Sequence, residues 1–276
     1  VDLQLACQNL QCQFVDVEFP PTISSLYMDP KKPPKKATPV QWKRPFEFCQ
    51  TEPVLFNKVG PENICQGRLG DCWFLAALSI LSRNKDAIEA LFDQSKINSQ
   101  GLYSCRFYRD SEWKRVTIDD YLPCNPTSGW TAFDIGSAEA MQSYLQGLGT
   151  HISQGPIYSR SHDGSLWVCL LEKAYAKLNK NYEALGGGSL GESLLDLTGA
   201  PCVSFYFRWI VDLDSIWEKL WKYHNDGYLM GCSSKQLTQE ERESGFQLEK
   251  FGIVSRHAYS ILDVKIIQDG LHGDEL

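Results

Sequence analysis

ICQGRLGDCWFLAALSIL, residues 64–81, contains the longest apolar run around a cysteine in the chain and predicts its central helix. From Trp73 onward it is almost entirely apolar. This predicts a buried helix over 72–83, because a helix that is apolar all round has no face for solvent. Two glycines, an Asp and a Cys come just before it. Cys72 is therefore expected at the helix N-terminus, where unpaired N–H groups and the helix dipole favour a negative charge such as a thiolate.

The residues around Cys72 favour a nucleophile over a structural thiol. Asp71 is a good N-cap residue, and Gly67 and Gly70 allow the chain to turn tightly ahead of the helix. Gln66 could fold back so that its amide and the N–H of Cys72 form a two-donor oxyanion hole. For any single cysteine the ordinary alternative is a buried, inert thiol. The Gln-Gly-x-x-Gly-Asp-Cys-Trp context favours the nucleophile.

A cysteine nucleophile needs a base, and the chain has five histidines. His151 and His162 lie in or near a predicted insertion, His224 ends an amphipathic helix, and His272 lies in a polar tail, so surface roles suit these four. His257 opens the strand-like run HAYSILDV. A strand is a rigid support for a base that faces a cleft, although a histidine at a strand start, taken alone, is more often structural.

Composition excludes several classes of function. The net charge is −7 over 276 residues, so the composition does not indicate a basic surface that would bind nucleic acid. No run of eighteen apolar residues occurs, so no membrane span is predicted. The ten cysteines come without an export signal or a CxxC pair. Reduced thiols in a cytoplasmic protein are therefore expected, with no zinc site.

Periodicity predicts elements on both sides of the central helix, with a second helix at 85–93. SCRFYRD (104–110) and EWKRVTIDDYLP (112–123) form a predicted hairpin around Asp110–Ser111. SLWVCLLEKAYAKLN (165–179) has helical spacing and is expected to place Glu172, Lys173 and Lys177 in solvent. A further amphipathic helix (214–227) and two strands (228–234 and 257–267) follow.

Composition divides the chain into three predicted regions. Residues 1–40 form a lead-in with a Pro- and Lys-rich connector, 41–200 a helical lobe containing Cys72, and 201–276 a partial, sheet-rich lobe containing His257. A Gly- and Ser-rich stretch at 124–155 is expected to be a surface insertion. Two lobes suit a chain of this length.

Three segments carry a resemblance to a known family. QGRLGDCWFLAALSIL, LWVCLLEKAYAKLNKNYEAL and RHAYSILDV resemble hallmark segments of the calpain family of intracellular cysteine proteases, in family order. FVDVEFPP, WKRPFEF, DLTGAPC and GYLMGCSS are most similar to its small-optic-lobes branch. The resemblance implies an α+β, papain-like fold in which a helical lobe bears the Cys and a sheet-rich lobe bears the His. It also implies protein or peptide substrates.

The resemblance assigns roles by motif position. Cys72 matches the nucleophile, His257 the general base and Gln66 the oxyanion donor. Gly188, in EALGGG, matches a glycine whose backbone holds an extended peptide substrate. At the family's second such glycine this chain has Arg256, which puts one substrate contact in doubt.

The chain departs from the family at two further places. Asn63 and Ser165 replace two carboxylates that bind calcium in the best-known calpains, so calcium is a possible but weakly bound cofactor, and the metal ligands stay unassigned. The family's catalytic Asn, in Asn-Pro-Trp-Gly, does not occur before Leu276. A chain truncated in its second lobe is therefore expected, with the strand at 257–267 lacking its hairpin partner. The alternative function is a protease-dead fragment or isoform that acts as a binding or regulatory module. The oligomeric state stays open.

Overall fold

The computed structural model describes residues 2–34, 40–126, 155–207, 212–243 and 247–266. The α-helices are α1 (Leu3–Asn9), α2 (Ile23–Leu26), α3 (Pro45–Phe48), α4 (Cys72–Leu81), α5 (Lys85–Glu89), α6 (Trp167–Leu178), α7 (Leu190–Thr198), α8 (Leu213–Asn225) and α9 (Gln239–Glu243). The strands are β1 (Gln41–Lys43), β2 (Ile64–Cys65), β3 (Leu102–Arg109), β4 (Glu112–Asp119), β5 (Leu122–Cys124), β6 (Arg160–Ser161), β7 (Met230–Ser233) and β8 (Ala258–Ile261). Most of the predicted insertion at 124–155 lies outside the described residues.

The mixed architecture confirms the predicted α+β class. In the described residues the strands form small antiparallel pairs: β1 with β5, β2 with β6, β3 with β4, and β7 with β8. The core lies around α4 and α6, both of which bury most of their length. Phe74 of α4 stacks on Tyr175 of α6 with ring centroids 4.2 Å apart. The apolar runs that predicted these two helices therefore form the centre of one core.

The hairpin β3–β4 has the predicted turn. Arg109 pairs with Glu112, and the two residues between them, Asp110 and Ser111, have φ of 56° and 63°. Positive φ at both positions suits a two-residue turn whose twist matches that of the strands. Asp is among the residues that tolerate this conformation best.

The prediction that Glu172, Lys173 and Lys177 face solvent is wrong: the first two are buried, and the Lys177 side chain is 17% exposed and ion-paired. Glu172 is 1% exposed and Lys173 is fully buried. The Lys173 ammonium forms an ion pair with Asp119 and donates to the Tyr121 carbonyl at 2.7 Å. Segments that are distant in sequence cover the polar side of α6, and they supply partners for its charged side chains. A buried charge is tolerated when it is paired in this way.

The last region contributes the antiparallel pair β7–β8. Each of the two strands is shorter than predicted. Met230 pairs with Ile261 and Ser233 with Ala258. β8 thus has a partner along one edge, and the expectation of a further hairpin partner beyond Leu276 stays a prediction. The pair β7–β8 packs on α4, the helix that begins at Cys72.

Candidate active site

Cys72 is the first residue of α4 and is half-buried. The first helical turn is closed by the Asp71 carbonyl, which accepts from the N–H groups of Phe74 (2.9 Å) and Leu75 (3.1 Å). The predicted position of the thiol, at a helix N-terminus, is confirmed. Asp71 occupies the N-cap position as predicted, but its side chain makes no capping hydrogen bond and is fully buried.

The loop before Cys72 is held by a close backbone approach. Arg68 N–H donates to the Ile157 carbonyl at 3.0 Å. A Cβ placed on Gly67 would lie 1.9 Å from the Tyr158 carbonyl oxygen, so only glycine fits there. Neither Gly67 nor Gly70 has a positive φ. The glycine at 67 is therefore needed for close approach, not for the tight turn that the sequence suggested.

Gln66 folds back along this loop. Its Nε2 donates to the Leu69 carbonyl at 2.8 Å, and its side chain is exposed. An amide nitrogen carries two hydrogens, so this bond uses one of them. The side chain is therefore held over the turn that leads to Cys72.

Gly188 lies against the indole of Trp73, the residue after Cys72. A Cβ on Gly188 would fall 2.4 Å from Trp73 Cε2. The indole Nε1 donates to the Leu185 carbonyl at 2.9 Å, and Gly187 N–H donates to the Gly70 carbonyl at 3.0 Å. The EALGGG segment is thus bound to the start of α4. This packing gives Gly188 a structural reason to be glycine in addition to the substrate role implied by the resemblance.

His257 is half-buried and immediately precedes β8. Its backbone is fixed to Ser234, because His257 N–H donates to Ser234 Oγ at 3.0 Å and Ser234 N–H donates to the His257 carbonyl at 2.9 Å. Its ring meets the Tyr259 ring edge-on, with centroids 4.9 Å apart. The residue before it, Arg256, has φ of 58°, a conformation that suits glycine.

The strand that follows His257 touches the helix that begins at Cys72. Ser260 Oγ donates to the Ala76 carbonyl at 3.1 Å. Ser260 lies three residues after His257, and Ala76 lies four residues after Cys72. The two candidate catalytic side chains are therefore carried by elements in direct contact.

Of the other histidines, two are described and have partners of their own. His162 is exposed, and its N–H donates to the Asn63 carbonyl at 2.9 Å. His224 pairs with Asp263 at 3.1 Å. His151 and His272 lie outside the described residues.

Asn63 and Ser165, the replaced calcium positions, meet at Asp163. Asn63 Nδ2 donates to the Lys58 carbonyl (2.7 Å), and its Oδ1 accepts from Asp163 N–H (3.0 Å). The Asp163 carboxylate accepts from Lys58 N–H (2.8 Å) and from Ser165 Oγ (2.7 Å). Burial raises the pKa of Asp163, but hydrogen bonds with Asn63 and Ser165 outweigh it and lower the pKa to about 2.

This group of residues does not fit a tight calcium site. Ca²⁺ takes six to eight oxygen ligands, and its affinity depends on how many are charged. The cluster offers a single carboxylate, and its amide and hydroxyl groups already bond one another. Across the described ranges, no group of three or more His, Cys, Asp or Glu side chains could hold a metal ion.

One feature of the site was missed at the sequence level. Asp71 and Glu172 are buried together, and each interacts with the other's carboxyl group. The sequence does contain a signal for this pair, because Glu172 lies in the middle of the largely apolar helix WVCLLEKAYAKL. Helical spacing alone predicts that this Glu points outward. Local spacing does not reveal a partner that lies about one hundred residues away in sequence.

Comparisons with known proteins identify the family of the chain. A family model described as Calpain family cysteine protease matches residues 14–275. The chain is 36% identical to the Calpain-type cysteine protease DEK1 of Arabidopsis thaliana over 265 residues, which cover 92% of this chain and 11% of that protein. It is 32% identical to Calpain-9 of Rattus norvegicus over 277 residues, which cover 99% of this chain and 35% of that protein.

A third relative is the Calpain-type cysteine protease ADL1 of Oryza sativa subsp. japonica, 35% identical over 264 residues, with 91% of this chain and 11% of that protein covered. The chain thus spans between 11% and 35% of the length of these relatives. In the part of the chain that the structure describes, no helix has both the length and the apolar character needed to cross a membrane.

Proposed function

Because the chain belongs to the calpain family of cysteine proteases, we propose that it is the catalytic core of an endopeptidase in which Cys72 is the nucleophile and His257 the base. One observation carries the proposal. The strand that begins next to His257 is packed on the helix whose first residue is Cys72, through the bond from Ser260 to Ala76. Two residues that are 185 positions apart in sequence are thereby carried on adjoining elements.

The proposed reaction is acyl transfer. The Cys72 thiolate attacks the substrate carbonyl carbon, forming a C–S bond and placing the negative charge on the carbonyl oxygen. His257, protonated after taking the thiol proton, gives that proton to the leaving amine as the C–N bond breaks. His257 then removes a proton from water as the water oxygen attacks the thioester carbon, and it returns that proton to the sulfur as the C–S bond breaks and the acid leaves.

Gln66 and the N–H of Cys72 are proposed to bind the oxyanion. The Gln66 amide is already folded over the loop by its bond to Leu69, and its second N–H is available for a substrate oxygen. Two such donors in a water-poor site stabilise charge that appears only in the transition state. The backbone of Gly188 is proposed to hold the extended peptide.

Calcium is proposed to bind weakly or not at all at the cluster of Asn63, Asp163 and Ser165. Its single carboxylate is held by internal hydrogen bonds, which a cation would have to displace. An intracellular location is also proposed. It is supported by the ten cysteines, all of which are free thiols, as expected in a reducing compartment.

The test is cleavage of casein by this chain, and by a longer form that contains it, with Cys72→Ala and His257→Ala as the critical variants. Cys202→Ala is the matched control, since Cys202 is an exposed thiol outside the proposed machinery. We expect cleavage to vanish with Cys72→Ala, to fall by at least 10³-fold with His257→Ala, and to persist with Cys202→Ala. Cleavage that survives Cys72→Ala contradicts the proposal. If no form cleaves, the alternative of a binding module gains support.

A further inference from the structure

Two buried carboxyl groups meet next to the candidate nucleophile. Asp71 directly precedes Cys72 and is fully buried, and Glu172, in the middle of α6, is 1% exposed. Both Glu172 oxygens accept from Ser159 N–H, at 2.9 and 3.1 Å. Within the described residues, neither Asp71 carboxyl oxygen has a side-chain donor in hydrogen-bonding geometry, and the backbone N–H of Asp71 itself lies close enough to lower the pKa of the carboxyl group. Asp71 and Glu172 are called the carboxyl pair below.

Among the residues that the structure describes, the titratable groups that interact with the carboxyl pair from neighbouring elements bring no compensating positive charge. They are Tyr158, Cys169 and Tyr182, and burial raises the pKa of each of them, so all three are neutral at neutral pH. The cation next in sequence, Lys173, is already held in its own buried ion pair. Within the described part of the chain, the carboxyl pair therefore lacks the counter-ion that a buried charge normally requires.

Two neighbouring carboxyl groups in such surroundings do not both ionise, because burial and like charge each disfavour the second negative charge. Burial raises the pKa of Asp71 above its ordinary value. The pKa of Glu172 is raised well above its ordinary value, mainly by burial and secondly by the charge of Asp71. If Glu172 keeps its proton, its O–H supplies the donor that the Asp71 carboxylate otherwise lacks.

We propose that the carboxyl pair shares one proton at neutral pH, and that neutral Glu172, by donating to the Asp71 carboxylate, positions Cys72. The catalytic part of this inference rests on the proposed function, in which Cys72 is the nucleophile. Asp71 and Glu172 are positioning residues. Neither is assigned a contact with substrate.

The connection to Cys72 runs through the first turn of α4. The Asp71 carbonyl accepts the N–H groups of Phe74 and Leu75, and its side chain is anchored on α6 through Glu172. One residue thus closes the helical turn with its backbone and fixes it to the core with its carboxylate. Losing the shared proton leaves two buried negative charges beside the thiol, and losing the donor leaves Asp71 without a partner.

The first test detects the proton directly by infrared spectroscopy of the full chain at pH 7.5. We expect the C=O stretching band of a protonated carboxylic acid, lost in Glu172→Gln and retained in Glu192→Gln. Glu192 is the matched control because its side chain is 52% exposed. If the difference spectrum between wild type and Glu172→Gln contains no such band, the shared proton is refuted.

The second test asks whether the donor positions Cys72. The rate of Cys72 alkylation by iodoacetamide is followed by peptide mass mapping. Glu172→Gln keeps a neutral donor of the same shape and is expected to stay within about twofold of wild type. Glu172→Leu removes the donor and is expected to slow labelling about tenfold, the equivalent of about 1.4 kcal/mol.

Equal rates for the Gln and Leu variants overturn the positioning role. If Glu172→Leu does not fold, the infrared comparison of wild type with Glu172→Gln still decides whether the proton is shared. Neither measurement needs peptide cleavage. A chain that shows the band and the rate difference but cleaves nothing counts against the proposed function alone.

Discussion

Replacing Gly188 by Ala forces a methyl group into the indole of Trp73. The new Cβ would lie 2.4 Å from Cε2, 2.5 Å from Cζ2 and 2.6 Å from Cδ2. Ordinary contact begins near 3.4 Å, so the ring or the backbone must move by about 1 Å. The ring has little freedom, because it is 6% exposed and its Nε1 is bonded to the Leu185 carbonyl at 2.9 Å.

The magnitude follows from these two constraints. Overpacking a well-packed core costs about 1–3 kcal/mol, and losing a buried indole hydrogen bond costs about 1 kcal/mol more, so we expect Gly188→Ala to lower the free energy of unfolding by about 2–4 kcal/mol. The indole follows Cys72 directly. The same displacement should therefore slow alkylation of that thiol.

The assay is urea unfolding followed by circular dichroism, with Gly191→Ala as the matched control. Gly191 lies in α7, and a Cβ there meets nothing closer than 3.5 Å. An added methyl should be neutral or stabilise by up to about 1 kcal/mol at this helical position. If Gly188→Ala unfolds at the same urea concentration as Gly191→Ala, the close approach of Gly188 to Trp73 is refuted.

Three other predictions concern the loops around the site. Gly67→Ala should destabilise more than Gly188→Ala in the same urea assay, because its Cβ would meet a backbone carbonyl oxygen at 1.9 Å; a smaller loss contradicts this. Arg256→Gly should stabilise by about 1 kcal/mol, since it relieves a left-handed φ of 58°, and an unchanged thermal midpoint argues against strain. With Asn63 and Ser165 in place of carboxylates, calorimetry should give a calcium dissociation constant of about a millimolar or weaker, and micromolar binding refutes that expectation.

Local sequence patterns correctly predicted those elements whose structure depends on residues adjacent in sequence. The turn at Asp110–Ser111 is set by two residues that tolerate positive φ, and its hairpin formed as predicted. The apolar run after Cys72 predicted a buried helix, and α4 is buried along its length. The placement of the thiol followed from the same run, because a helix that begins at Cys72 leaves that residue at its N-terminus.

Contacts between distant segments were not predictable from local patterns. Helical spacing assigned Glu172 and Lys173 to solvent, but their partners, Ser159 and Asp119, come from other parts of the chain. Asp71 has a good N-cap identity, yet its carboxyl turns into the core towards Glu172. In both cases a tertiary partner outweighs a local preference. The roles of the candidate catalytic residues stay predictions.

If Cys72 is a nucleophile activated by His257, a peptidyl chloromethyl ketone should alkylate Cys72 selectively, and more slowly when the imidazole is removed. The measurement is the rate of adduct formation at each cysteine, by peptide mass mapping, in wild type and in His257→Ala. We expect Cys72 to react fastest, well ahead of buried Cys169 and exposed Cys202, and its rate to fall at least tenfold in His257→Ala. Labelling of Cys72 no faster than of Cys202, or a rate that does not depend on His257, contradicts the account.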